Sequence, residues 1–304
     1  MKSKILVFLL FLCFTLSMVM GQSNPASAAP MDVYLWGTGS PDWTDYDKAY
    51  DGYDNPMCWA AATVNVLSWT GWDGGFSDED AIFNDFRYGG GWTSGGGVEK
   101  FGFEWWFTGG VTDPNYPSAS PSVFTGGGGY YTMAEYTNSF RLWGMGYDND
   151  PLDGYSPDPV FNMDLKIKEF VNGGIGTALD LASYVSANNY LAHAVTLWGY
   201  KYDSETGDII GIYFTDSNDH GDDLLYFDLY YSGTYNCWYV DDYKTSIDQQ
   251  YDYWINGLEG LVPYGEGPPP PPPDEPVPEP ATIFLLGSGL AGLFGIGRRK
   301  FKRN

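Results

Sequence analysis

His193-Ala194-Val195-Thr196-Leu197-Trp198-Gly199-Tyr200-Lys201-Tyr202 and Ile209-Ile210-Gly211-Ile212-Tyr213-Phe214-Thr215 are joined by the polar segment Asp203-Ser204-Glu205-Thr206-Gly207-Asp208. Two runs rich in β-branched and aromatic residues around a glycine-bearing turn predict an antiparallel hairpin. In a hairpin the start of one strand lies beside the end of the other. His193, at the head of the first run, is therefore expected next to Asp216, which follows the second. A carboxylate in that place can fix the tautomer of the imidazole.

Working outward, further strands are predicted at 176–181, 224–231 and 236–240. The N-terminal half is helical where it is regular. Cys58-Trp59-Ala60-Ala61-Ala62-Thr63-Val64-Asn65-Val66-Leu67-Ser68-Trp69 is apolar on most sides and reads as a buried helix, ended by Gly71 to Gly75. Ser77-Asp78-Glu79-Asp80 opens a short helix to Phe86, and another short helix is expected near 98–107. Residues 161–172 fit an amphipathic helix stopped by Gly173-Gly174. Around the helix near 98–107, residues 88–130 read as long glycine-rich loops; the whole stretch, with Trp92, Trp105 and Trp106, either lines a substrate cleft or forms irregular surface without a role. Helices that lead and strands that follow predict an α+β fold, a buried N-terminal helix packed on an antiparallel β-sheet.

Both ends read as export signals. A basic start, the apolar run from Ile5 to Met20 and Ala26-Ser27-Ala28 predict a signal peptide over 1–28. The folded domain is expected over 31–264, followed by a Pro-rich linker at 265–277. Then come Pro278-Glu279-Pro280, the apolar stretch Ala281 to Gly297 and the basic end Arg298-Arg299-Lys300-Phe301-Lys302-Arg303. In that order they resemble a bacterial PEP-CTERM sorting signal at 278–304, with a short transmembrane helix and a basic tail. The resemblance implies an exosortase-type sorting enzyme as partner, transient membrane anchoring, and delivery to the cell surface or extracellular matrix. Loss of the signal peptide and of everything after Pro280 leaves 8 of the 15 Lys and Arg against 39 acidic residues, a formal charge of −31. Such a surface repels phosphate backbones and anionic lipid, which excludes nucleic-acid binding and confines membrane contact to the C-terminal segment.

Outside the signal segment, which holds Cys13, the cysteines are Cys58 and Cys237, and the histidines are His193 and His220. A thiol opening a helix gains from the unpaired N–H groups and dipole there, which favour the thiolate. Nucleophilic catalysis by that thiol needs an imidazole and a group to orient it. His193 with Asp216 is the better pair, His220 sitting in an acidic loop. In an oxidising compartment Cys58 and Cys237 could instead be joined, which would silence the thiol.

Cys58-Trp59-Ala60-Ala61-Ala62-Thr63, His193 through Gly199, and Tyr213-Phe214-Thr215-Asp216-Ser217 together resemble the IdeS/Mac cysteine peptidases, loosely from Trp36 to Tyr264. The resemblance implies a papain-like fold and a secreted cysteine endopeptidase acting on protein or peptide substrates without a cofactor. It further implies Cys58 as nucleophile, His193 as general base and acid, Asp216 as the residue orienting it, and Lys48 as an aid to the oxyanion hole. Asn218 stands where the family has a second aspartate and is expected in a supporting role. Trp59 replaces a glycine frequent after the nucleophile. Loops set substrate choice, so immunoglobulin specificity does not transfer.

Scattered histidines and cysteines give no zinc spacing, and the stretch Asp148 to Pro159 lacks the ligands and glycine of a calcium loop, so no metal centre is expected. Two rival readings remain open: a non-catalytic surface or matrix binder using exposed Tyr and Trp, and a transamidase or amidase built on the same three residues.

Overall fold

The computed structural model describes residues 29–36, 43–48, 57–89, 99–110, 127–144, 163–186, 189–218, 221, 223–234, 237–244 and 252–265. Both predicted export segments, the loops 90–98 and 111–126 with Trp92, the stretch 148–159 and His220 lie outside the described residues.

Eight strands pair antiparallel: β1 (Met31–Tyr34), β2 (Phe140–Gly144), β3 (Gly176–Ser186), β4 (Asn189–Tyr202), β5 (Ile209–Thr215), β6 (Leu225–Ser232), β7 (Cys237–Val240) and β8 (Tyr253–Leu261). The hydrogen-bonded order β4, β3, β8, β7, β6, β5 returns to β4, so six strands close into a ring. β1 adds to β4, and β2 adds to β8. Closure leaves these six strands without an open edge. The fold is α+β with an antiparallel sheet, as the pattern of helices then strands predicts.

The hairpin that anchors this reading forms. Thr196 pairs with Thr215 and Tyr202 with Ile209, while the Asp203 N–H donates to the Asp208 carbonyl at 2.9 Å. One detail differs. β4 starts at Asn189, because its pairing with β3 continues past His193, which stands opposite Leu181. His193 therefore lies within a strand instead of at its head. β5 stops opposite Thr196, so the chain beyond Thr215 is free to turn Asp216 toward the imidazole.

β8 is absent from the sequence-based expectation, although nearly all of it is buried, with β3 on one side and β7 followed by β2 on the other. Its sequence, Tyr253-Trp254-Ile255-Asn256-Gly257-Leu258-Glu259-Gly260-Leu261, carries two glycines, an amide and a carboxylate, all poor strand formers. Pairing on both sides overrides that preference. β1 and β2 were likewise too short to announce themselves.

The helices are α1 (Cys58–Thr70), α2 (Glu79–Asn84, continued by a π turn over Asp85–Gly89), α3 (Glu99–Thr108), α4 (Met133–Ser139) and α5 (Met163–Asn172). In α1, Trp59 through Leu67 are all buried, and the helix lies on β3 and β4. Small residues Ala178 and Ala194 meet it in a core shared with Phe83, Phe86, Phe103, Trp105 and Trp106. Gly71, at φ 75°, ends α1 in the left-handed conformation that glycine adopts without penalty. Asp78 caps α2 by accepting from the Ala81 N–H, and Thr132 with Glu135 forms a capping box on α4, a helix absent from the sequence-based expectation. A second core gathers Leu179, Leu181, Val195, Leu197 and Phe214 with Ile167 and Phe170 of α5. Trp105 and Trp106, on the predicted short helix, are fully buried in the first core, which corrects the expectation that the stretch carrying them lines a cleft or forms surface: they are packing residues.

Candidate active site

Cys58 is the first residue of α1. Met57 precedes it without making a side-chain cap, and the first turn holds no acidic residue. The positive end of the helix is thus left unneutralised beside the sulfur, which is partly open to solvent. Cys58 and Cys237 are both free thiols, so no disulfide joins them. Cys237 is buried with Ala182, Tyr239 and Trp254, and burial raises its thiol.

His193 is 5 % exposed and Asp216 3 %, with His193 Nε2 2.8 Å from Asp216 Oδ1. That contact occupies Nε2 and leaves Nδ1 as the ring nitrogen available to Cys58; thiol and imidazole influence one another's charge. Asp216 is held from two further directions. The Asn218 backbone N–H donates to Oδ1 at 3.0 Å, and the Tyr243 hydroxyl donates to Oδ2 at 2.6 Å. Tyr243 is buried and lies nearly parallel to the imidazole, ring centroids 6.3 Å apart. The Asn218 side chain also reaches the ring, Nδ2 standing 3.5 Å from Nδ1 and 3.4 Å from Nε2 of His193.

Lys48 arrives from a segment with no regular structure, yet it is only 1 % exposed. Three tethers explain its position. The Tyr46 N–H donates to Asn65 Oδ1 at 2.9 Å, Thr215 Oγ1 donates to the Thr44 carbonyl at 3.3 Å, and the Lys48 N–H donates to the Ser217 carbonyl at 3.4 Å. Asn65 in turn donates to Thr196 Oγ1 at 3.0 Å, which locks α1 to β4. The five residues singled out in the sequence, Cys58, His193, Asp216, Lys48 and Asn218, are therefore brought to one place.

The electrostatics are those of an ion pair. Burial is the largest influence on Cys58 and opposes its charge. The His193 charge and hydrogen bond, the Lys48 ammonium and the Ala194 N–H together outweigh it, and the thiol falls below its ordinary value. Burial also opposes the charge on His193, but Asp216 and Cys58 raise the imidazole to about 10. Asp216 is lowered, because the His193 charge and the hydrogen bonds from His193, Tyr243 and Asn218 overcome its burial. Tyr243 is pushed well upward by burial and by Asp216, so it remains a donor. A thiolate facing an imidazolium in water-poor surroundings can attack a carbonyl carbon and return a proton to a leaving group.

Tyr243 and Asn65 escaped the sequence reading. Tyr243 is one of 25 tyrosines, in an acidic turn with no motif, and Asn65 is one amide in an apolar helix. A lone amide on a buried helical face was the one available signal.

Among the described residues no helix is long and apolar enough to cross a membrane; the stretch Ala281 to Gly297 lies outside them. No curated protein matches the chain, so the IdeS/Mac likeness rests on the quoted residues alone. Residues 276–300 match the model of the PEP-CTERM protein-sorting motif. That motif is recognised by an exosortase and marks the chain for secretion with transient anchoring through its C-terminus.

Proposed function

We propose that the chain is a secreted, papain-like cysteine endopeptidase, retained at the cell surface or matrix by its sorting signal. The observation that carries this reading is His193 held between Asp216, at 2.8 Å, and a thiol at the open end of a buried helix. The Cys58 thiolate attacks the carbonyl carbon of a peptide bond. The oxyanion that forms is received by the Lys48 ammonium and the Cys58 backbone N–H, a type of contact whose removal typically costs about 3–4 kcal/mol of barrier. The imidazolium gives its Nδ1 proton to the departing amine as the C–N bond breaks, leaving a thioester. His193 then takes a proton from water, hydroxide adds to the thioester, and the thiol leaves with the proton back on the pair. Asp216, braced by Tyr243 and the Asn218 N–H, keeps the ring aligned through both half-reactions.

Burial of Trp105 and Trp106 weakens the rival reading of an aromatic binding surface. The large hydrophobic side chains most exposed among the described residues are tyrosines, methionines and a leucine, with no tryptophan. The decisive experiment is digestion of a broad protein substrate such as casein under reducing conditions. Wild type should cleave it and Cys58→Ala should not; cleavage that survives in Cys58→Ala removes the mechanism.

A further inference from the structure

We propose that Glu99, Asp180 and Glu259 form a binding site for a hard divalent cation of the calcium class. The three come from α3, β3 and β8, which is why no local spacing announces them. Asp180 pairs with Gly257 and Ala178 with Glu259, so Asp180 and Glu259 stand diagonally on one face of the sheet, and Glu99 reaches them from the helix above. One carboxylate oxygen from each lies within 4.8 Å of the other two. Three atoms so spaced always leave a point within about 2.8 Å of all of them, close to the roughly 2.3–2.6 Å of a calcium–oxygen bond.

Two further observations indicate an occupant. Glu99 is 1 % exposed, and its Oε1 has no hydrogen-bond partner among the described residues. A buried acceptor left without a partner costs about 1–3 kcal/mol, which a bound cation relieves. Gly257 also leaves a cradle: a Cβ there would stand 3.2 Å from Asp180 Oδ2 and 3.2 Å from the Trp143 carbonyl oxygen. The missing side chain leaves that space, beside Asp180 Oδ2 and the Trp143 carbonyl oxygen, unfilled. Neither Glu99 nor Asp180 has an ion-pair partner among the described residues. An all-oxygen donor set selects calcium or magnesium over zinc or copper, and its spread suits calcium's longer bonds and looser geometry.

The proposal is independent of the thiol chemistry, so its test reads binding and not cleavage. The full chain, stripped with EDTA, is melted in buffer with and without calcium chloride. Calcium at about 100 times its dissociation constant should raise the melting temperature by roughly 5–10 °C. Glu99→Gln should abolish that rise. If Glu99→Gln does not fold, Asp180→Asn replaces it, and terbium luminescence displaced by calcium supplies a second reading on the wild type. A melting temperature indifferent to calcium overturns the proposal, with a protonated structural cluster as the reading that replaces it. An equal rise in wild type and variant overturns it too, since the ion would then sit elsewhere.

Discussion

Removing the imidazole tests the central pair at its source. In His193→Ala, Cys58 keeps its burial, the largest influence on it, and loses both the charge and the hydrogen bond that offset it. Lys48 and the Ala194 N–H remain but rank below them. The thiol should therefore return to or above its ordinary 9.0. At pH 6.5 a thiol titrating at 9.0 is ionised to about 1 part in 300, so the variant loses up to roughly 300-fold in thiolate. A low-pKa thiolate is intrinsically less nucleophilic, which trims the expected drop in alkylation rate to between about 10-fold and 300-fold. The assay is the pH dependence of iodoacetamide labelling at Cys58, on folded protein checked by circular dichroism. Wild type should label with a midpoint below 9, and His193→Ala with a midpoint at or above it. Lys48→Met should move the midpoint the same way by less. A wild-type midpoint at 9 or higher, or one indifferent to the histidine, would refute the ion-pair argument.

Other consequences follow from the same geometry. Tyr243→Phe deletes the 2.6 Å bond to Asp216; a hydrogen bond to a charged group contributes about 1.5–3 kcal/mol, and denaturant unfolding should register a loss of that order. An unchanged unfolding midpoint would show that the hydroxyl does not brace the carboxylate. The pH dependence carries a definite sign. With the imidazole raised to about 10, its stabilisation is complete below the unfolded value near 6.5 and is lost as pH climbs through about 10. The melting temperature should therefore decline progressively between about pH 6.5 and about 10, while peptidase activity holds until the approach to 10; activity that declines from pH 7 would contradict it. Asp216 works the other way: its lowered value means that its contribution is full above the ordinary 3.8 and disappears as pH falls through the folded value.

The sequence by itself determined the elements whose side-chain periodicity is strong. The 193–215 hairpin and the apolar run after Cys58 were both legible, because a two-residue or all-round apolar pattern reports local burial directly. From that hairpin the approach of Asp216 to His193 could be derived, and few histidines and cysteines left little choice of partner. What only the tertiary structure decided depends on contacts between segments far apart in the chain. β8 was hidden by Gly257, Glu259 and Gly260, whose poor strand preference is overruled once β3 and β2 pair with them on either side. Trp105 and Trp106 read as aromatics of a cleft or surface stretch until packing against Phe86 made them core. Tyr243 carries no motif, since its role comes from one hydrogen bond to a residue 27 positions away. Asn65, 131 positions from Thr196, joins its helix to a strand in the same way. Glu99, Asp180 and Glu259 converge because a helix crosses two paired strands. Local sequence encodes which face of an element is apolar; which distant polar groups meet is settled by how those faces pack.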